Sequence, residues 1–124
     1  MELSVTSKLL LTLVAFEFIY IFFLETIVTT SANTARVFKM TQEELSRKSV
    51  STLFKNQGIY NLLIAILLLY SVYFSKNSRE LSILLLLYII AVAAYGSISS
   101  DILILLKQGG LAILALFNLL VIKF

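Results

Sequence analysis

The sequence predicts an all-α integral membrane protein, a four-helix up-down-up-down bundle that crosses the cell membrane several times. Apolar residues make up 60% of the 124 residues and charged residues only 14%, whereas a water-soluble domain carries about a quarter charged residues. Four apolar runs are long enough to cross a bilayer core of about 30 Å, which needs about 20 helical residues. These runs do not alternate apolar and polar residues as the strands of a membrane β-barrel do.

Composition also excludes several classes of chemistry. The chain has no Cys and no His, so it lacks disulfides, thiolate nucleophiles and the commonest general base and metal ligand. A net charge of +3 is too small to indicate nucleic-acid binding. We therefore expect no cofactor, no metal and no nucleic-acid partner.

One transmembrane domain spanning residues 1–124 is predicted, with helices at about 9–30, 41–74, 81–98 and 102–122. The first run contains Glu17 and Glu25. Its length and these two glutamates distinguish it from a secretory signal, whose apolar core has about 7–15 residues. We expect it to remain as the first membrane helix.

The connection Ser31–Thr52 is the only long one. Thr41 followed by Glu44 has the spacing of a capping box, in which each side chain accepts from the other's free backbone N–H. No Gly or Pro lies between Thr41 and Gly58. An interfacial helix is therefore predicted to start near Thr41 and to lead into the second membrane helix.

The remaining connections, Ser75–Glu80 and Ser97–Asp101, are short. Short links make antiparallel neighbours, so both chain termini should lie on one side of the membrane and Ser31–Thr52 on the other. Basic residues are divided almost evenly between the two sides, so the positive-inside rule does not fix the orientation.

Polar residues in four helices are predicted to form one layer, roughly 6–12 Å below the Ser31–Thr52 side at 1.5 Å per residue. Its members are Glu25, Gln57, Asn61, Tyr95, Gly96, Lys107 and Gln108. Glu17 lies about 12 Å deeper, near the bilayer midplane. A carboxyl group there must be protonated, paired or solvated, and each state can serve as a switch.

A structural interpretation stays open for most of this layer. Asn61 and Gln108 can act as interhelical hydrogen-bond donors and acceptors, and the tyrosines as packing or interface aromatics. We predict that Gln57, Asn61 and Gln108 face the bundle interior. For Lys107 we predict an ion pair with Glu25, the alternative being that Lys107 extends to the interface while Glu25 binds tyrosine or amide groups.

Several segments, in order, resemble the domain-of-unknown-function 1304 family of small membrane proteins: AFEFIYIFFLET, KNQGIYN, AYGSIS and ILLKQGGLAILAL. NQGIYN is the most specific of them. The resemblance implies a four-helix membrane fold and adds weight to residues of these motifs, Asn56 and Gly58 among them. This chain departs from the family where Phe18 replaces the usual His and where Trp is missing near Val28.

Two functions compete, proton-linked transport of a small cationic or polar molecule and acid–base chemistry on a lipid or isoprenoid inside the membrane. A third option is a non-catalytic lipid-binding or partner subunit. We favour transport, in which Glu17 releases its proton when substrate enters from the Ser31–Thr52 side; the analogy with small multidrug exporters rests on architecture and this one residue. Membrane lipid is an expected partner, and a homodimer is left open.

No catalytic residue is assigned. The predicted substrate- or proton-binding residues are Glu17, Tyr20, Glu25, Gln57, Tyr60, Asn61, Tyr95, Lys107 and Gln108, and the structural glycines are Gly58, Gly96 and Gly109.

Overall fold

The computed structural model describes residues 3–99 and 108–121, and this part of the chain is all-helical. Its helices are α1 (Val5–Phe22), α2 (Ala32–Phe38), α3 (Gln42–Ser46), α4 (Lys48–Tyr73), α5 (Ser78–Ser99) and α6 (Gly110–Val121). A π-helical turn, Phe23–Ile27, continues α1.

Three segments of the described chain are long and apolar enough to cross a membrane: Val5–Ile27, Lys48–Tyr73 and Ser78–Ser99. Helix α5 shows the character of these segments most clearly. Ser82, Leu86 and Ile89 are buried on one face, while Leu84 and Tyr88 on another are 56% and 59% exposed. A helix that is apolar on its exposed face as well is typical of a membrane span.

The chain divides into two compact units. The first comprises Phe16–Ala65, and the second comprises Met1–Ala15 together with Ile66–Phe124. In the second unit, α5 packs against α6. Buried hydroxyl and amide groups pair there. The Ser7 hydroxyl donates to Oδ1 of Asn118 at 2.7 Å, and the hydroxyls of Ser71 and Ser82 lie 2.9 Å apart. Such pairs satisfy polar groups that would be costly to bury alone.

The unit Phe16–Ala65 contains the short helices α2 and α3. Ser31 caps α2, its hydroxyl accepting from the backbone N–H of Thr34. The capping box predicted for Thr41 and Glu44 is confirmed at the start of α3. These caps satisfy backbone donors that short helices otherwise leave free.

Helix boundaries differ from the predicted ones in the first three helices. The third begins at Ser78 rather than at about residue 81, and residues 102–107 of the predicted fourth helix lie outside the described residues. The long connection contains α2, and the helix predicted over 41–74 is interrupted at Arg47, whose backbone is extended with ψ of 134°. The first helix begins at Val5, and its α-helical part ends at Phe22. Helical propensity does not mark such breaks, because neither involves Gly or Pro.

Candidate functional site at the π-helical turn

The π-helical turn Phe23–Ile27 changes the hydrogen bonding at the end of α1. The backbone N–H of Val28 donates to the carbonyl of Phe23, five residues back, at 3.0 Å. The hydroxyl of buried Thr34 donates to the carbonyls of Leu24 and Val28, at 3.0 and 2.9 Å. Threonine side chains thus satisfy carbonyl groups at this irregular turn. Isolated π-helical turns of this kind often mark functional sites.

Helix α4 approaches this turn closely at Gly58. A Cβ atom on Gly58 would lie 1.9 Å from Oγ1 of Thr26 and 3.2 Å from Cβ of Glu25. The Thr26 hydroxyl donates to the backbone carbonyl of Lys55 at 2.9 Å. Only glycine allows this approach without displacing Thr26. The close approach therefore explains why a glycine occupies position 58, one of the predicted structural glycines.

Glu25 lies in the turn and faces α4. Its side chain is 1% exposed, and its Oε1 accepts from Nδ2 of Asn61 at 2.6 Å. Beside it, Nζ of Lys55 donates to the Thr29 hydroxyl at 3.1 Å, and that hydroxyl donates to the Glu25 carbonyl at 2.7 Å. Glu25 and Asn61, both predicted members of the polar layer, are therefore in contact, and an amide group occupies one carboxylate oxygen as in the alternative given for Glu25.

Glu17 lies two helical turns before Glu25. Its side chain is half-buried, and its Oε1 atom is buried without a hydrogen-bond partner in the described part of the chain. An unpaired buried carboxylate oxygen is costly. Oε1 of Glu17 is therefore free to bind a proton or a cation without giving up a hydrogen bond to a described residue.

The predicted tyrosines lie on exposed surface. Tyr20 is exposed, and its hydroxyl accepts from Nδ2 of Asn33 at 2.9 Å, while Oδ1 of Asn33 accepts from Arg36. Tyr60 and Tyr95 are both 72% exposed. Their placement fits interface or lipid-facing aromatics better than a shared binding pocket.

The remaining predicted residues differ in how far their side chains or backbone are exposed. Gln108 and Gly96 are half-buried and Gly109 is buried, whereas Gln57 is exposed. The prediction that Gln57 faces the interior is therefore wrong. It lies about 100° around α4 from Gly58, while Asn61 lies only about 60° away and reaches the turn. Lys107, with its predicted ion pair to Glu25, lies outside the described residues.

Chemically, the site offers carboxyl, amide, hydroxyl and amine groups. Within residues 3–99 and 108–121, no three His, Cys, Asp or Glu side chains come together to hold a metal ion. Two carboxyls in a helix of membrane length can exchange protons or bind a cation.

Comparison with known proteins places the chain in a family. The sequence model of the DUF1304 family, described as protein of unknown function, matches residues 12–120. The chain belongs to this family. One relative, the uncharacterized protein YpaA of Lactococcus lactis subsp. lactis, is 55% identical over 116 residues, which cover 94% of this chain and 98% of YpaA. No solved structure matches the chain. Membership of DUF1304 thus confirms the resemblance seen in the sequence, and it brings no activity with it.

Sequence reasoning missed the threonines that hold the turn: Thr26, Thr29 and Thr34. Each donates its hydroxyl to a backbone carbonyl. Their spacing offered a signal, because Ser and Thr near the end of an apolar helix often bond to main-chain carbonyls. It also missed Lys55, whose Nζ donates to the Thr29 hydroxyl.

Proposed function

We propose that this DUF1304 protein is a multi-pass protein of the cell membrane, whose helices α1, α4, α5 and α6 form a four-helix up-down-up-down bundle. Three spans of sufficient length and the exposed apolar face of α5 support this proposal. In water, an exposed apolar helix face promotes aggregation, whereas in a bilayer it contacts lipid tails.

Within the membrane, we propose that the protein transports a small cationic or polar molecule in exchange for protons, with Glu17 as the proton carrier. One observation carries the proposal: the buried Oε1 of Glu17, which has no hydrogen-bond partner among the described residues. A carboxyl so placed is stable when protonated or when a cation lies beside it. Binding of either excludes the other, and this competition is what exchange requires.

The two glutamates of the first span then have different roles. Glu25 is buried and holds Asn61 of α4, so it fixes the contact between helices. Glu17 gives up its proton to the aqueous side when a cationic substrate binds and regains one when the substrate leaves. No covalent step is needed.

The test uses purified protein in sealed proteoliposomes with a pH-sensitive dye inside. A panel of external cations, including tetraphenylphosphonium, ethidium and guanidinium, should drive proton efflux in the wild type. Glu17→Gln should abolish the flux while leaving helix content unchanged, because glutamine is isosteric and costs less to bury than a carboxylate. Glu43→Gln is the matched control, since Glu43 is exposed on α3, and it should retain full flux.

Two results would remove Glu17 from the mechanism: undiminished flux in Glu17→Gln, or equal loss in Glu43→Gln. Absence of flux with every cation, combined with tight retention of lipid, would instead favour the lipid-binding alternative.

A further inference from the structure

Two adjacent basic residues stand at the junction of α3 and α4. Arg47, Lys48, Ser49, Thr52 and Leu53 line an open depression of about 770 Å³. All five residues are exposed, Leu53 to 66%. We refer to these five residues as the junction depression. It combines two cations, two hydroxyls and one apolar side chain on one surface.

The positive charge of the junction depression is not neutralised by salt bridges within the described chain. The carboxylate of Glu44, whose charge interacts with that of Arg47, is engaged in the capping box at the start of α3. Its Oε1 accepts from the backbone N–H of Thr41 at 2.9 Å and from the Thr41 hydroxyl at 3.1 Å. These bonds, together with the charge of Arg47, lower the pKa of Glu44. Arg47 interacts electrostatically with Glu44 but forms no salt bridge with it in the described chain, so the side-chain donors of Arg47 and Lys48 are available for an external anion.

The length of α4 fixes the depth of this surface. Helix α4 has 26 residues, about 39 Å at 1.5 Å per residue, whereas the hydrocarbon core is about 30 Å thick. Along the bilayer normal, α4 is therefore about six residues longer than the hydrocarbon core. The polar residues of α4 are concentrated in the half that begins at Lys48, while the half that ends at Tyr73 is mostly apolar. We therefore expect the residues of α4 that exceed the hydrocarbon thickness to lie at the junction depression, in the headgroup layer.

We propose that the junction depression binds the headgroup of an anionic phospholipid. Arg47 and Lys48 contact the phosphate, the hydroxyls of Ser49 and Thr52 complete its hydrogen bonds, and Leu53 contacts the start of an acyl chain. Guanidinium and phosphate match in geometry as well as charge, which favours a phosphate over a diffuse anion cloud. The inference rests on the membrane placement proposed above and does not depend on transport.

Native mass spectrometry of the full chain tests the proposal. Protein is equilibrated in micelles with equimolar phosphatidylglycerol and phosphatidylcholine, and the retained lipids are counted. We expect wild type to retain phosphatidylglycerol preferentially. Arg47→Gln with Lys48→Gln should reduce that preference about thirtyfold, since each basic residue near a membrane surface contributes about fivefold. Exchanging the two cations, Arg47→Lys with Lys48→Arg, should preserve the preference for the anionic lipid.

The matched control is the double variant Lys76→Gln with Arg79→Gln, which removes the same charge between α4 and α5. It should keep the wild-type lipid preference, and unchanged circular dichroism should show that both double variants are folded. Equal loss in the two double variants, or equal retention of both lipids by wild type, would overturn the headgroup site while leaving the membrane placement standing. Retention of neither lipid by wild type would overturn the membrane placement as well. Displacement of phosphatidylglycerol by millimolar inorganic phosphate would identify a phosphate site rather than a lipid site and would also overturn the proposal.

Discussion

The contact of Gly58 with the π-helical turn makes a quantitative prediction for Gly58→Ala. The added Cβ would lie 1.9 Å from Oγ1 of Thr26, 3.1 Å from its Cβ and 3.2 Å from Cβ of Glu25. Rotating the Thr26 side chain relieves the first contact, but it breaks the 2.9 Å bond to the Lys55 carbonyl, which costs about 0.5–1.5 kcal/mol. The two remaining contacts require a backbone shift, and such overpacking costs about 1–3 kcal/mol.

Alanine offsets part of this loss, because it is about 1 kcal/mol more favourable than glycine inside a helix. We therefore expect Gly58→Ala to lower the free energy of unfolding by about 1–3 kcal/mol. The assay is detergent or thermal unfolding followed by circular dichroism. Gly110→Ala is the control, since a Cβ there meets nothing within 4 Å, and it should leave stability unchanged or raise it slightly.

Thr26→Ala supplies the decisive second background, because it removes the oxygen that the new Cβ would meet. In that background Gly58→Ala should cost about 0.5–1.5 kcal/mol less than in the wild type, because the Oγ1 contact is gone while the two Cβ contacts remain, so the two losses should not add. Additive losses would show that α4 does not approach the turn at Gly58. A Gly58→Ala variant as stable as Gly110→Ala would refute the reasoning outright.

Two further predictions concern individual carboxylates. Asn61→Leu should destabilise the protein by about 1–3 kcal/mol because buried Glu25 loses its hydrogen-bond donor, whereas Asn56→Leu at an exposed position should change thermal stability little. Hydrogen bonds from the Thr41 backbone and hydroxyl lower the pKa of Glu44. Its stabilisation of α3 should therefore be complete above the ordinary glutamate pKa of 4.5 and be lost as pH falls through the lower folded value. Protection of the α3 amides should decrease over that acidic range, whereas Glu44→Ala, which lacks the acceptor, should show low protection at every pH.

The long apolar helices and the capping box could be predicted from the sequence because both depend on local patterns. Runs of apolar residues identify spans by length alone, and Thr41 with Glu44 specifies a cap through side chains three residues apart. The π-helical turn could not be predicted in this way. Its five-residue hydrogen bond depends on Thr34 and on the approach of α4, and both are tertiary features.

The exposure of Gln57 shows the same limit. Gln57 and Asn61 are four residues apart, so helical spacing alone assigns them to one face. The contact with the turn is centred on Gly58, however, and only Asn61 lies near enough to that direction to reach Glu25. A pattern of polar residues therefore identifies the region of the site, while the position of the closest backbone approach decides which of them take part.

The same contact distinguishes Glu25 from Glu17, the carboxylate for which we propose proton exchange. Glu25 is enclosed where the helices approach most closely, its Oε1 bonded to Asn61, so a ligand there would have to displace an existing partner and the threonine contacts around it. Glu17 is half-buried and its Oε1 has no hydrogen-bond partner among the described residues. A proton or cation at Glu17 therefore gains an interaction without breaking a hydrogen bond to that oxygen. For this reason we propose Glu17 rather than Glu25 for the exchange step, although Glu25 is the more buried of the two.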